Sequence, residues 1–273
     1  MSNTEIATKW LICDVDGTLT PEQLLICLLE QLARKRMDIG SILDRAKPLR
    51  DRYRNNLDSF QPYIEQIVEE FFTNRCYEGI EKSELEAASK MAVRLCKERT
   101  YVFTRELIRA AKNLGYKIAI VSGSPVSVIS AFLEPETADA VYATEFVFDD
   151  QNVCTGDPVI EYVTDKNRAF IEIEKTYGPI DASSSIVIGD TRSDAALMRR
   201  VNYPIAYNPK GQLKDIAVAE RFAYIVETQD GILVHRFGIH GERIWQPSLI
   251  DVVPPDLATP MLMRLKAAGW PIV

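Results

Sequence analysis

The sequence predicts an α/β protein: a mostly parallel sheet with helices on both faces, and a helical segment inserted after the first strand. Three observations carry this. Short apolar runs at 10–13, 116–121, 185–188 and 204–207 each end in acids, glycines or small polar residues. Buried parallel strands that feed loops read this way. Helical stripes alternate with them. Leu107, Ile108, Ala111 and Leu114 line one face of 105–114, which Gly115 closes; Phe170, Ile173 and Tyr177 line 164–177, which Gly178 closes. Finally, residues 21–99 carry helical spacing at Leu24, Leu25, Leu28, Leu29 and Leu32, and again at Ile64, Ile67, Val68, Phe71 and Phe72, with no convincing strand.

Alternating strands and helices build a Rossmann-like core. The expected division is a core domain of residues 1–20 and 100–226, a helical cap domain of 21–99, and an extension of 227–273. The cap would act as a lid over the strand ends. In the extension, an Asp230-Gly231 turn predicts a hairpin, and prolines precede a short amphipathic end at 261–267. The extension is expected to pack on the core or at a subunit interface, the second arrangement making a homodimer.

Composition narrows the function. The 273 residues are 47% hydrophobic and 26% charged, with a net charge of -7, so no basic footprint points to nucleic acid. No apolar run approaches the roughly 18 residues of a membrane span, and residues 1–9 lack the layout of a signal peptide. A cytoplasmic location is the expectation, with no nucleic acid and no membrane as partner. The five cysteines are scattered, without the close spacing of a zinc or redox motif, and read as reduced structural thiols. His235 and His240 are the sole histidines and read as surface-loop residues.

The chemistry lies at the strand ends, where ligands gather in such sheets. Asp14 and Asp16, two apart and followed by Gly17, supply paired carboxylates: one to attack, one to move protons. The bland alternative is a turn with two solvated acids. Ser122, Gly123 and Ser124 offer hydroxyls and free N–H groups where the chain leaves a strand for a helix, which suits a phosphate; such loops also occur without one. Asp190 and Asp194 place carboxylates at another strand end. They suit a hard cation such as Mg2+ or, alternatively, a helix N-terminus. Lys166, a solvated charge by default, would offset the repulsion among those acids.

The run Asp14-Val15-Asp16-Gly17-Thr18-Leu19-Thr20, the Val121-Ser122-Gly123-Ser124 loop, Lys166 and the run from Gly189 to Asp194 resemble, in order and spacing, the four motifs of the haloacid dehalogenase superfamily of phosphatases. The resemblance covers about 9–20 and 100–210. It implies that Asp14 becomes an aspartyl-phosphate and that Asp16 protonates the leaving oxygen and then activates water. It further implies that Ser122, Gly123 and Lys166 bind the phosphoryl group, and that Asp14, the Asp16 carbonyl, Asp190 and Asp194 hold or support Mg2+. The implied reaction is hydrolysis of a small phosphorylated metabolite. Phosphotransfer to a sugar would use the same residues, and a non-catalytic binding protein could keep the fold.

The inserted helices and the Val-Ser-Gly-Ser-Pro loop are most similar to the phosphoserine-phosphatase-like branch. Two departures stand out: that branch carries Ser where this chain has Gly17, and Glu22 only approximates the glutamate it presents to the substrate amine. The stretch 31–54 is locally basic, with Arg34, Lys35, Arg36, Arg45, Lys47, Arg50, Arg52 and Arg54 against Asp38, Asp44 and Asp51. It reads either as a solvated face or as an attractor for extra anionic groups on the substrate.

Overall fold

A computed structural model describes residues 7–54, 61–96, 99–237, 243–244 and 249–270. The first strand, β1 (Trp10–Cys13), is completely buried. After it come four helices: α1 (Leu24–Leu32), α2 (Met37–Arg54), α3 (Gln61–Thr73) and α4 (Lys82–Cys96). The core then runs α5 (Val102–Asn113), β2 (Lys117–Pro125), α6 (Val126–Phe132), β3 (Ala140–Thr144), α7 (Glu161–Thr164), α8 (Asn167–Tyr177) and β4 (Ile186–Gly189). It continues with α9 (Ala195–Met198), β5 (Tyr203–Tyr207), α10 (Gln212–Glu220), β6 (Ala223–Thr228), β7 (Gly231–Phe237), β8 (Arg243–Ile244) and α11 (Pro255–Ala267).

The strands form one sheet in the order β3-β2-β1-β4-β5-β6-β7-β8. Six of them pair in parallel, and β7 and β8 add on antiparallel. The expected α/β class and mostly parallel sheet are therefore found. β1 lies between β2 and β4, with Cys13 opposite both Ile120 and Ile188. The chain departs from β1 in both directions, so the crevice at its C-terminal end is a topological switch point.

Strand alternation divides the core in two. Leu11, Cys13, Ile118, Ile120, Ile186 and Ile188 face one side, with α5, α11 and the helices of 24–96. Trp10, Ile12, Ala119, Val121 and Val187 face the other, against Phe170 and Ile173 of α8 and Leu197 of α9. Helix α1 is apolar but for Glu30 and Gln31, and buries Leu24, Leu25, Ile26, Leu28, Leu29 and Leu32. So broad an apolar surface needs cover on several sides; α4, α6 and β2 are among its neighbours.

Several details depart from the sequence reading. Strand β2 does not end at residue 121. It runs on through Pro125 with an irregularity after Val121, because Pro125 pairs with Thr144 and the Thr144 hydroxyl donates to the Gly123 carbonyl at 2.8 Å. The helix expected over 164–177 is broken at Lys166: the Asp165 side chain accepts from the Asn167 N–H at 3.0 Å and starts α8 afresh. His235 stands on β7 rather than in a loop, its ring 5.1 Å from that of Tyr224, whereas His240 lies outside the described residues. Cys13, Cys76 and Cys154 are buried and reduced, and Cys27 is reduced and half-buried. Helix α11 packs on α5 through Leu257, Met261 and Leu265, with Asp256 accepting from Lys9 at 2.8 Å. Among the described residues, no helix is long and apolar enough to cross a membrane.

Candidate active site

Asp14 follows β1 directly, its N–H donating to the Ile188 carbonyl at 3.0 Å. That bond fixes the first acid against the strand that leads to Asp190. The side chain is buried. Lys166 Nζ donates to Asp14 Oδ1 at 2.7 Å and to Asp194 Oδ1 at 2.6 Å, and all three residues are nearly sealed from solvent. Asp14 Oδ2 meets the Thr18 hydroxyl at 3.4 Å. Burial pushes the Asp14 carboxyl well above the usual range, and Lys166 only partly offsets this. Burial alone would lower Lys166, but Asp14 and Asp194 together hold it above its ordinary value.

Asp16 turns the other way. Its Oδ2 accepts from the hydroxyls of Ser122 at 3.0 Å and Ser124 at 2.7 Å. Its Oδ1 accepts from the Leu24 N–H at 2.6 Å, and so takes an orphan donor at the start of α1. Burial raises this carboxyl, against those hydrogen bonds. Ser124 is more engaged than Ser122: its hydroxyl also accepts from the Leu25 N–H at 3.0 Å, and its own N–H donates to Ser122 Oγ at 3.1 Å. The Ser-Gly-Ser segment therefore holds Asp16 and α1, and its Ser124 N–H is already spent.

Asp190 follows β4 and is fully buried. Among the described residues its Oδ1 has no hydrogen-bond partner; its Oδ2 stands 2.7 Å from Lys210 Nζ, an ion pair. Burial pushes this carboxyl up to about 6, with Lys210 pulling in the opposite direction. Asp194 closes a capping box instead: its Oδ2 accepts from the N–H of Thr191 at 3.0 Å and from its hydroxyl at 3.1 Å. Of the two readings of these acids, Asp194 fits the helix-terminal one and Asp190 does not.

Ligand oxygens of Asp14, Asp190 and Asp194 all lie within 4.8 Å of one another. The Asp16 carbonyl receives no hydrogen bond from a described backbone N–H. A buried oxygen without a partner, inside a set of hard oxygen donors, fits a divalent cation such as Mg2+. Six of the seven residues singled out from the sequence thus gather at one crevice through their side chains, Asp14, Asp16, Ser122, Lys166, Asp190 and Asp194; Gly123 is seen only with its carbonyl accepting from Thr144.

Sequence reasoning missed Lys210, which reads as a solvated loop lysine, and Glu227. The Glu227 carboxylate accepts from the N–H groups of Val102 and Phe103 at 2.8 Å each and from the Tyr207 hydroxyl at 2.6 Å. It caps α5 from the end of β6. No local signal marks Lys210 or Glu227. Glu22 pairs with Arg99 at 2.7 Å. In the basic stretch, Arg36 pairs with Asp38 and Arg45 with Glu70, so those two read as solvated ion pairs; the side chains of Arg50, Arg52 and Arg54 lie outside the described residues. Burial, with Asp14 beside it, pushes the Cys13 thiol well up, as suits a structural thiol.

A mostly parallel sheet with acids gathered at a central switch point defines a Rossmann-like α/β core. The model of the haloacid dehalogenase-like hydrolases matches residues 11–199, and the chain belongs to that family. A phosphoserine phosphatase of Archaeoglobus fulgidus is 25% identical over 212 residues, 77% of this chain and 55% of the relative. The chain therefore spans about half the length of that curated relative. Among solved structures, a protein of unknown function from Bordetella pertussis Tohama I matches with a TM-score of 0.59 at 19% identity, over 80% of this chain and 98% of the other. A phospho-aspartyl intermediate analogue of phosphoserine phosphatase matches with a TM-score of 0.52 at 19% identity, over 77% and 91%. These two share the fold.

Proposed function

We propose that this chain is a Mg2+-dependent phosphomonoester hydrolase that acts on a small phosphorylated metabolite through an aspartyl-phosphate on Asp14. The observation that carries the reading is the division of labour between Asp14 and Asp16. Asp14 has Oδ1 locked by Lys166 and Oδ2 touched only by a long Thr18 contact, the arrangement of a nucleophile held in one orientation. Asp16 is held by two serine hydroxyls and a helix N–H, and burial raises its carboxyl, the placement of a group that carries protons. It protonates the leaving oxygen and then takes a proton from the attacking water.

Phosphoryl transfer requires mainly in-line positioning and charge stabilisation. Lys166 offers a buried positive charge beside Asp14, and Ser122, bonded to Asp16, with the adjacent Gly123 would bind the phosphoryl group. Asp14, the Asp16 carbonyl and Asp190 would hold the metal, with Asp194 in support; when bound, it supplies charge to offset the phosphoryl oxygens. Residues 21–99 act as a cap domain that selects the substrate, and 227–273 as an extension of the core. Because Glu22 is engaged by Arg99, the proposed substrate class is a phosphorylated metabolite in general rather than phosphoserine alone.

The test is phosphate release from a panel of phosphorylated metabolites, with Mg2+ and with EDTA, beside Asp14→Asn. Turnover that needs metal and disappears in the variant is the expected result. Activity surviving Asp14→Asn would refute the assignment of the nucleophile.

A further inference from the structure

Two lysines serve the buried acids, and they are built differently. Lys166 is 6% exposed and pinned between Asp14 and Asp194. Lys210 arrives from the loop after β5 with its side chain 42% exposed, so its ammonium has an open path back to solvent. The backbone of Lys210 is nonetheless fixed to the site, because its N–H donates to the Asp190 carbonyl at 2.8 Å. A flexible four-carbon stem on an anchored backbone can swing without the loop moving.

The space the ammonium uses belongs to Gly17. A Cβ at that position would lie 2.5 Å from Lys210 Nζ and 2.0 Å from Asp190 Oδ2, and Gly17 has a φ of +89° that other residues rarely adopt. The turn after the first motif is thus shaped to admit Lys210 to the carboxylate oxygen at 2.7 Å. That same carboxylate is the donor that Lys166 leaves alone, with its second oxygen unpartnered.

We propose that Lys210 is an internal competitor for the divalent cation: its ammonium and the metal claim the same Asp190 carboxylate, and metal entry drives the lysine out toward solvent. The inference rests on the metal reading above. It follows from charge alone that a dication and an ammonium on one buried carboxylate repel strongly, since two charges a few ångströms apart interact by several kcal/mol even at an effective dielectric of about 20. The lysine yields because it is the partner with a path to water. By neutralising Asp190 it also spares the fold a bare buried charge, so the site is held together at the expense of metal affinity.

This predicts the opposite of what a residue that helps to hold the metal would do. Mg2+ is titrated calorimetrically into the EDTA-stripped full chain, without substrate, for the wild type, Lys210→Gln, Lys210→Met and Lys210→Arg. The two neutral variants should bind Mg2+ roughly tenfold more tightly, about 1.4 kcal/mol, and Lys210→Arg should bind no more tightly than the wild type. Thermal melts in EDTA and in Mg2+ check folding and give a second readout, in which the neutral variants gain more from the metal than the wild type does. Unchanged or weaker binding in either neutral variant, or equal tightening in Lys210→Arg, overturns the proposal. A wild-type chain that binds no divalent cation instead removes the metal reading, and this inference with it. If the wild type binds and the Lys210 variants match it, only the competition fails.

Discussion

Lys166→Met removes the ammonium between Asp14 and Asp194 but keeps a side chain of similar reach. The ammonium sits 2.7 Å from one carboxylate oxygen and 2.6 Å from the other. At an effective dielectric of about 20, each contact is worth about 6 kcal/mol of attraction. Most of that offsets the cost of taking three charges out of water, and the net loss on removing one partner of a buried ion pair is about 3–5 kcal/mol. Urea unfolding at pH 7 in EDTA, followed by tryptophan fluorescence, to which buried Trp10 contributes, measures it directly. The loss should shrink as the pH falls, because burial already holds the Asp14 carboxyl well above its ordinary value. A protonated Asp14 no longer needs a counter-charge. A loss below about 1 kcal/mol at pH 7 would mean that water reaches these acids as it reaches surface pairs, and the picture of a sealed, lysine-held nucleophile would be wrong.

Asp190→Asn should stabilise the EDTA-treated protein in a pH-dependent way. Burial pushes Asp190 up to about 6 from an ordinary 3.8, and an acid whose value rises on folding costs stability once the pH passes the unfolded value. The cost grows between those two values and is complete above the higher one, at about 3 kcal/mol. Melting temperatures of the variant and wild type should therefore coincide near pH 4 and separate by pH 7; a gap that does not change with pH would contradict this. Glu227→Ala strands two N–H groups of α5 and the Tyr207 hydroxyl. With the position half-open to water, the expected loss is about 2 kcal/mol, read from the urea midpoint, with Glu227→Gln retaining about half of it. Equal stability of wild type and Glu227→Ala would show that water replaces the carboxylate there.

Where function was legible, the signal was local. Trp10-Leu11-Ile12-Cys13 running into Asp14 is a buried strand meeting a carboxylate, and the run from Ser185 to Asp190 repeats it. Both appear in the sheet side by side. Direction was not legible. Strand alternation lets residues two apart share a face, yet Asp16 points to the serines and α1 while Asp14 stays with Lys166. Nor could sequence separate Lys210 from any other loop lysine, since what distinguishes it is a glycine 193 positions earlier that leaves it room. Strand β2 outran its apolar segment because pairing with β3, not hydrophobicity, resumes at Pro125 beyond the irregularity after Val121.

The central position of β1 also has a price in time. Its partners are Lys117 onward on one side and Ile186 onward on the other, so the strand bearing Asp14 is made long before either neighbour. At about 5–20 residues per second of synthesis, the second partner follows by roughly ten seconds or more. Throughout that interval Trp10-Leu11-Ile12-Cys13 is a short, uncharged, β-prone run with both edges bare. The nascent chain therefore passes through a period of exposure that ends only when β4 arrives, and β4 brings Asp190 with it. Protection of the strand and completion of the acid cluster are one event, and a ribosome-bound fragment that stops short of residue 186 should engage holding chaperones while a longer one escapes them.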